Sequence, residues 1–174
     1  MSIRRIHGVY LADTARVVGQ VELGEGVNIW YGAVIRGDVA PVKVGAATNV
    51  QDNAIIHCDQ GQPNIIGSGV TIGHSAIVHG IAVGDGAMIA MGAKVLGGTK
   101  VGSGSIVAAG ALLTPGTQVP DAMVAMGVPA RVVRPVSDRE RQYLLDIPPR
   151  YVEIARLHTA GTDVRVQPWG GAAR

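Results

Sequence analysis

The chain has 174 residues, 47% of them hydrophobic, with 25 glycines, no phenylalanine and a formal charge of +2. That length supports one domain, with a core filled by Val, Ile, Leu, Ala and Met. The charge is too small and too dispersed for a nucleic-acid surface, and no run approaches the roughly 18 apolar residues of a membrane span.

The first stretch, MSIRRIHGVYLADTARVVG, has no apolar segment of signal-peptide length. The single cysteine, Cys58, excludes an internal disulfide. Together these point to a protein of the reducing cytoplasm.

From Val17 onward, aliphatic residues recur every six positions. Val17, Leu23, Ile29 and Ile35 form one run. Val44, Val50 and Ile56 form a second, and Ile66, Ile72 and Val78 a third. A fourth runs from Val83 through Ile89, Val95, Val101, Val107 and Leu113 to Val119. A helix would repeat near 3.6 and a flat strand near 2. Six fits short strands bent at regular corners, three to a triangular coil. Each aliphatic points inward, and the glycine that often follows it (Gly24, Gly45, Gly67, Gly84) relieves crowding at the turn. Stacked coils pair like parallel strands about 4.8 Å apart. This pattern resembles the hexapeptide-repeat, left-handed β-helix proteins, and the resemblance, not the spacing, implies the hand.

Insertions of three residues after Ile35 and four after Ile56 interrupt the period, and one residue is missing between Val78 and Val83. If each break keeps the order of faces A, B and C, then Val44, Val50 and Ile56 are A, B and C of one coil. Ile66, Ile72 and Val78 are the same faces of the next. After Val119 the pattern fades. Ser137 opens SDRE, a capping-box signature, so a helix follows, interrupted at Pro148 and Pro149 and continued by RYVEIARLH. Ile147, Tyr151, Ile154 and Leu157 should face the coils. The expected architecture is mainly β: a β-helix over 1–136, a helical segment over 137–160 packed on it, and a loosely ordered tail over 161–174.

On this grid Arg36, His57 and His79 form an outward ladder, each directly after a face C aliphatic. His74 lies around the corner on face B, in line with Asp52, and Gln51 neighbours Asp52. Two stacked imidazoles can converge on one ion, and a three-His set leaves zinc an open coordination position. His74 of a neighbouring subunit could complete the set, and a three-fold ring would give every pair such a partner. The residues alone leave open both this site and unconnected surface histidines. His7 and His158 lie outside the grid. Cys58 reads as a small outward or corner residue, with a thiolate nucleophile or further ligand as the alternative.

The segments RGD (36–38), NVQDNAIIH (49–57) and IGHSAIVHG (72–80) resemble the γ-class carbonic anhydrases and their close relatives, from about residue 10 to the helix near 158. The resemblance implies a homotrimer with His57, His74 and His79 as metal ligands, two from one subunit and one from the next. Zinc is the usual metal, with iron or cobalt also accepted. Arg36 and Asp38 match a charged pair at the subunit interface and active site. Gln51 and Asp52 match polar residues near the metal's solvent, Asn49 a position beside them, and Tyr151 a tyrosine brought in by the C-terminal helix. The implied reaction is reversible hydration of carbon dioxide to bicarbonate. Val39 stands where the characterised enzymes carry a glutamate, and Asp59 is the only acid in the loop after His57. Without a proton shuttle, weak turnover is expected. The alternatives are an acyl-CoA thioesterase, a hexapeptide acyltransferase, or a trimer that binds metal without turnover.

Overall fold

The computed structural model describes residues 2–160, so the tail expected over 161–174 lies outside the described residues. The six-residue rhythm becomes three columns of parallel strands. Val17, Ile35, Ile56, Val78, Val95 and Leu113 stack in register as face C. Leu23, Val44, Ile66, Val83, Val101 and Val119 stack as face A. Face B runs from Ile29 through Val50, Ile72 and Ile89 to Val107 and begins one step before the predicted period, at Leu11. From Ile29 onward these side chains are buried, as are the small residues four places later, such as Ala54, Val70, Ala76 and Ala93. Each buried Val, Ile or Leu contributes about 1.5–3 kcal/mol. The columns thus make a continuous core that no single coil could form.

The glycines divide into two kinds. Gly45, directly after its aliphatic, is not at the turn. A Cβ there would sit 2.5 Å from Gly67 C and Ser68 N of the next coil, so glycine permits close coil-to-coil approach. The turn itself falls two residues later, as at Gly104, with φ +60°. Asn53 and Ser75 take the equivalent left-handed conformation at another corner, with φ of 58° and 59°.

Both insertions lie at one corner. The first is absorbed in the long strand Val34–Val44, which passes from face C to face A and pairs with Arg16–Leu23 across a register shift. The second is the loop between His57 and the strand Asn64–Ile66. The two touch: Gly61 N donates to Val39 O at 3.3 Å, and Cys58 Sγ donates to Ala40 O at 3.2 Å. Cys58 is therefore buried rather than outward, and burial pushes its thiol pKa up. That disfavours the thiolate a nucleophile or ligand requires.

On face B, antiparallel strands close both ends. Ile3–Ile6 pairs with Val9–Ala12, and Met123–Gly127 pairs with Ala130–Pro135, so the region read as a fading pattern is a hairpin. Helix α1, Asp138–Thr159, then returns along face B. It runs unbroken through Pro148 and Pro149, contrary to the expected interruption. Pro148 is buried with Leu144 and Ile147, and its ring lies within 4.0 Å of where Gly69 would carry a Cβ. This packing holds the helix where two backbone hydrogen bonds are forgone. Leu157, expected on the packed face, is 41% exposed, and Ala155 is buried instead.

The capping box forms as expected, with Ser137 and Glu140 bonded reciprocally. Glu140 also receives two hydrogen bonds from Arg134, both 2.8 Å. Arg134 and then Ser137 hold the Glu140 carboxyl well below the usual carboxylate range. A depressed folded pKa gives stability that is present above the unfolded carboxylate pKa and lost as acid protonates the group. Glu140→Gln should therefore cost about 1 kcal/mol at pH 7 in urea unfolding. The gap from wild type should narrow below about pH 4. A gap unchanged down to pH 3 would refute this account.

Candidate metal centre

The face C ladder stands at the corner where the two insertions meet. His57 and His79, one coil apart, have ring centroids 5.2 Å apart, nearly perpendicular. His57 is held firmly: its N–H donates to Val78 O at 3.1 Å, and its ring Nδ1 lies 2.7 Å from Arg36 O. A carbonyl only accepts, so Nδ1 carries the proton and Nε2 keeps its lone pair for an ion. The side chain is 14% exposed.

His79 differs. Its Nε2 lies 3.0 Å from Asp59 Oδ1, so in this arrangement Nε2 donates and Nδ1 carries the lone pair. Gly97 leaves room for that carboxylate, since a Cβ there would collide with Asp59 Oδ2. Asp59, noticed in the sequence only as the loop's single acid, thus grips one predicted ligand.

His74 is around the corner, as the grid requires. Its Nδ1 lies 2.8 Å from Asp52 Oδ2, again leaving Nε2 with the lone pair. Arg36 does not compete for Asp52. Its Nη1 is 2.6 Å from Asp38 Oδ2 and, as the main cause, holds the Asp38 carboxyl below its ordinary range. Asp38 Oδ1 in turn stands 3.7 Å from His57 Nδ1.

Gln51 and Asn49 belong to a polar line beneath α1. Gln51 Nε2 donates to Asn49 Oδ1 at 3.0 Å, and Asn49 Nδ2 donates to Thr71 Oγ1 at 2.9 Å, all three buried. One coil earlier, buried Asn28 accepts from Trp30 Nε1 at 2.8 Å. Asn28 and Thr71 were missed, although a polar residue before the face B aliphatic in three successive coils marks the column. Gln51 and His74 open into a cavity of about 320 Å³ between face B and α1, also lined by Met88, Met91, Arg150 and Tyr151. Tyr151 packs edge-on against Trp30 at 5.5 Å. Burial, then the charge of Asp52, raises its pKa, so the phenol stays protonated as a donor. His158, given no role from sequence, meets Trp30 edge-on at 5.4 Å and helps dock the helix.

One chain therefore gathers the predicted residues into two separate groups. Arg36, Asp38, His57 and His79 share one corner, and Asn49, Gln51, Asp52, His74 and Tyr151 share another face. Among the described residues of one chain, no three His, Cys, Asp or Glu side chains converge on a common ion position. The nitrogen donors fit a metal such as zinc, and a three-His set would need its third member from a second chain.

Stacked six-residue coils with such paired histidines define a hexapeptide-repeat β-helix protein. Two family models agree: Bacterial transferase hexapeptide (six repeats) over residues 80–115, and Hexapeptide repeat of succinyl-transferase over residues 63–96. A crystal structure of a hexapeptide transferase family protein from Anaplasma phagocytophilum is similar, with TM-score 0.83 and 37% identity, covering 88% of this chain and 90% of that one. A probable carbonic anhydrase of Methanocaldococcus jannaschii is 46% identical over 147 residues, 84% of this chain and 92% of that protein. The mitochondrial gamma carbonic anhydrase 2 of Arabidopsis thaliana is 40% identical over 158 residues, 87% of this chain, which spans 57% of that protein's length. The chain belongs to the γ-class carbonic anhydrase family.

Proposed function

We propose that the protein is a metal-dependent carbonic anhydrase that hydrates carbon dioxide at the interfaces of a homotrimer. The observation that carries this reading is the His57–His79 pair, 5.2 Å between ring centroids, with His74 turned onto another face. His57 and His79 of one subunit and His74 of the next would hold zinc, with iron or cobalt as substitutes. When bound, such a metal lowers the pKa of water from 15.7 to about 7 and so supplies hydroxide at neutral pH.

The chain's own residues supply the rest. Gln51 spends its Nε2 on Asn49, which leaves Oε1 to accept from the attacking water and orient it. Asp52 fixes the tautomer and direction of the His74 ring. Tyr151 offers a protonated hydroxyl in the same cavity. Arg36, half neutralised by Asp38, gives a modest attraction for bicarbonate. The attacking oxygen forms a bond to the carbon of carbon dioxide, giving bicarbonate, and the released proton passes to buffer. With Val39 exposed where a glutamate shuttle would stand, turnover should depend on buffer concentration. The buried free thiol of Cys58 suits a reducing cytoplasm. Among the described residues, no helix is long and apolar enough to cross a membrane.

The cavity of about 320 Å³ beside His74 has room for a small acyl group, which keeps thioester hydrolysis as a second reading. The deciding experiment is elemental analysis of the purified protein with parallel assays of carbon dioxide hydration and thioester hydrolysis. Bound zinc and a hydratase activity abolished by His57→Ala are expected. Metal with thioesterase activity alone would favour the second reading. Metal without either activity would leave a binding trimer, and assembled protein without metal would overturn the proposal.

A further inference from the structure

Asn64 is fully buried and opens the strand that follows the second insertion. Its Nδ2 donates to two carbonyls, His57 O at 2.8 Å and Val78 O at 3.2 Å. Its Oδ1 is buried with no hydrogen-bond partner. Turning the amide over would place that oxygen against both carbonyls, so the donors fix its orientation. Buried polar atoms are rarely left unpaired, and a hydrocarbon of the same shape would avoid the orphan. The side chain is therefore placed for what its NH2 group joins.

What it joins is specific. His57 O is the carbonyl of one predicted ligand, and among the described residues no backbone N–H reaches it. Val78 O belongs to the residue before His79 and also accepts from His57 N at 3.1 Å. Asn64 thus ties together the two coils that carry the histidine pair, at the corner where the insertion breaks the regular ladder. Arg36 O holds the His57 ring, and Asn64 holds its backbone.

We infer that Asn64 is a positioning residue for the metal pair, fixing the separation and relative angle of His57 and His79 through their backbones. This rests on the proposed three-His site. The residue touches neither metal nor substrate.

The test uses the full-length protein, stripped of metal and titrated with zinc and with cobalt(II). Asn64→Leu keeps the shape, removes both donors and removes the orphan. Asn64→Ser keeps one hydroxyl donor and guards against misfolding of the first variant. Val101→Ala, in the buried face A column away from the pair, serves as a destabilised control. The Asn64→Leu variant should bind zinc about 10- to 100-fold more weakly than wild type and shift the visible spectrum of the cobalt form. Asn64→Ser should fall between, and Val101→Ala should keep wild-type affinity and spectrum despite its lower melting temperature. Wild-type affinity and spectrum in a folded Asn64 variant would overturn the inference while leaving the three-His site intact. Equal weakening in Val101→Ala would reduce Asn64 to a general stabilising role. A wild-type protein that binds neither ion would overturn the metal reading itself.

Discussion

Two variants that each bind no metal should regain it when assembled together. Chains with His74→Ala keep the pair and lack the third ligand. Chains with both His57→Ala and His79→Ala lack the pair and keep the third. If a site takes its pair from one subunit and His74 from the next, each homotrimer is empty. In a ring assembled at random from equal amounts, about one site in four joins a complete pair to an intact His74. Co-expressed trimers, separated by gel filtration and analysed for zinc, should therefore carry about a quarter of the wild-type content. The expectation rests on Asp52 directing His74 on face B while His57 and His79 stack on face C. Mixed trimers without metal, or either parent variant retaining it, would refute the shared site. A site built within one chain predicts no recovery.

The second large effect concerns two glycines that look alike in the sequence. Gly45→Ala drives a methyl to 2.5 Å from backbone atoms of the neighbouring coil, and backbone cannot rotate away as a side chain can. The coils must separate locally, at a cost of about 1–3 kcal/mol or more. Gly104→Ala meets nothing within 4 Å, and its cost is the left-handed backbone alone, about 1 kcal/mol. Urea unfolding should show a distinctly larger fall in midpoint for Gly45→Ala at unchanged slope. Equal losses would mean that coil contact is not what glycine provides at position 45.

Some features of the fold and site were legible in the sequence and others were not. Periodicity is a property of the backbone path, so stepping by six found the three columns, the two insertions and the corner between His74 and His79. The Asp52–His74 contact followed because both residues occupy the same position of one face. The grip of Asp59 on His79 was hidden, because a loop residue has no place on the grid. Asn64 was hidden because its importance lies in the carbonyls it joins. Helix α1 passing through two prolines was unreadable because packing of Leu144, Ile147 and Pro148 against face B overrides a local preference. Cys58, read as an outward or corner residue, lies at the corner but buried, because the second insertion folds it beneath the first.

The antiparallel strands at the two ends have a further consequence. A stack of parallel coils is in principle open-ended, since its last coil offers the same unpaired backbone edge that the coil below offered to it. On face B, Ile3–Ile6 and Ala130–Pro135 run against the ladder direction and cover its two edges. A second molecule meeting face B at either end finds strands of opposite sense, and α1 folds back from one of them. Continuation of the face B ladder into a neighbouring molecule is thereby disfavoured at both ends. The length of the face B column is set by its terminal strands.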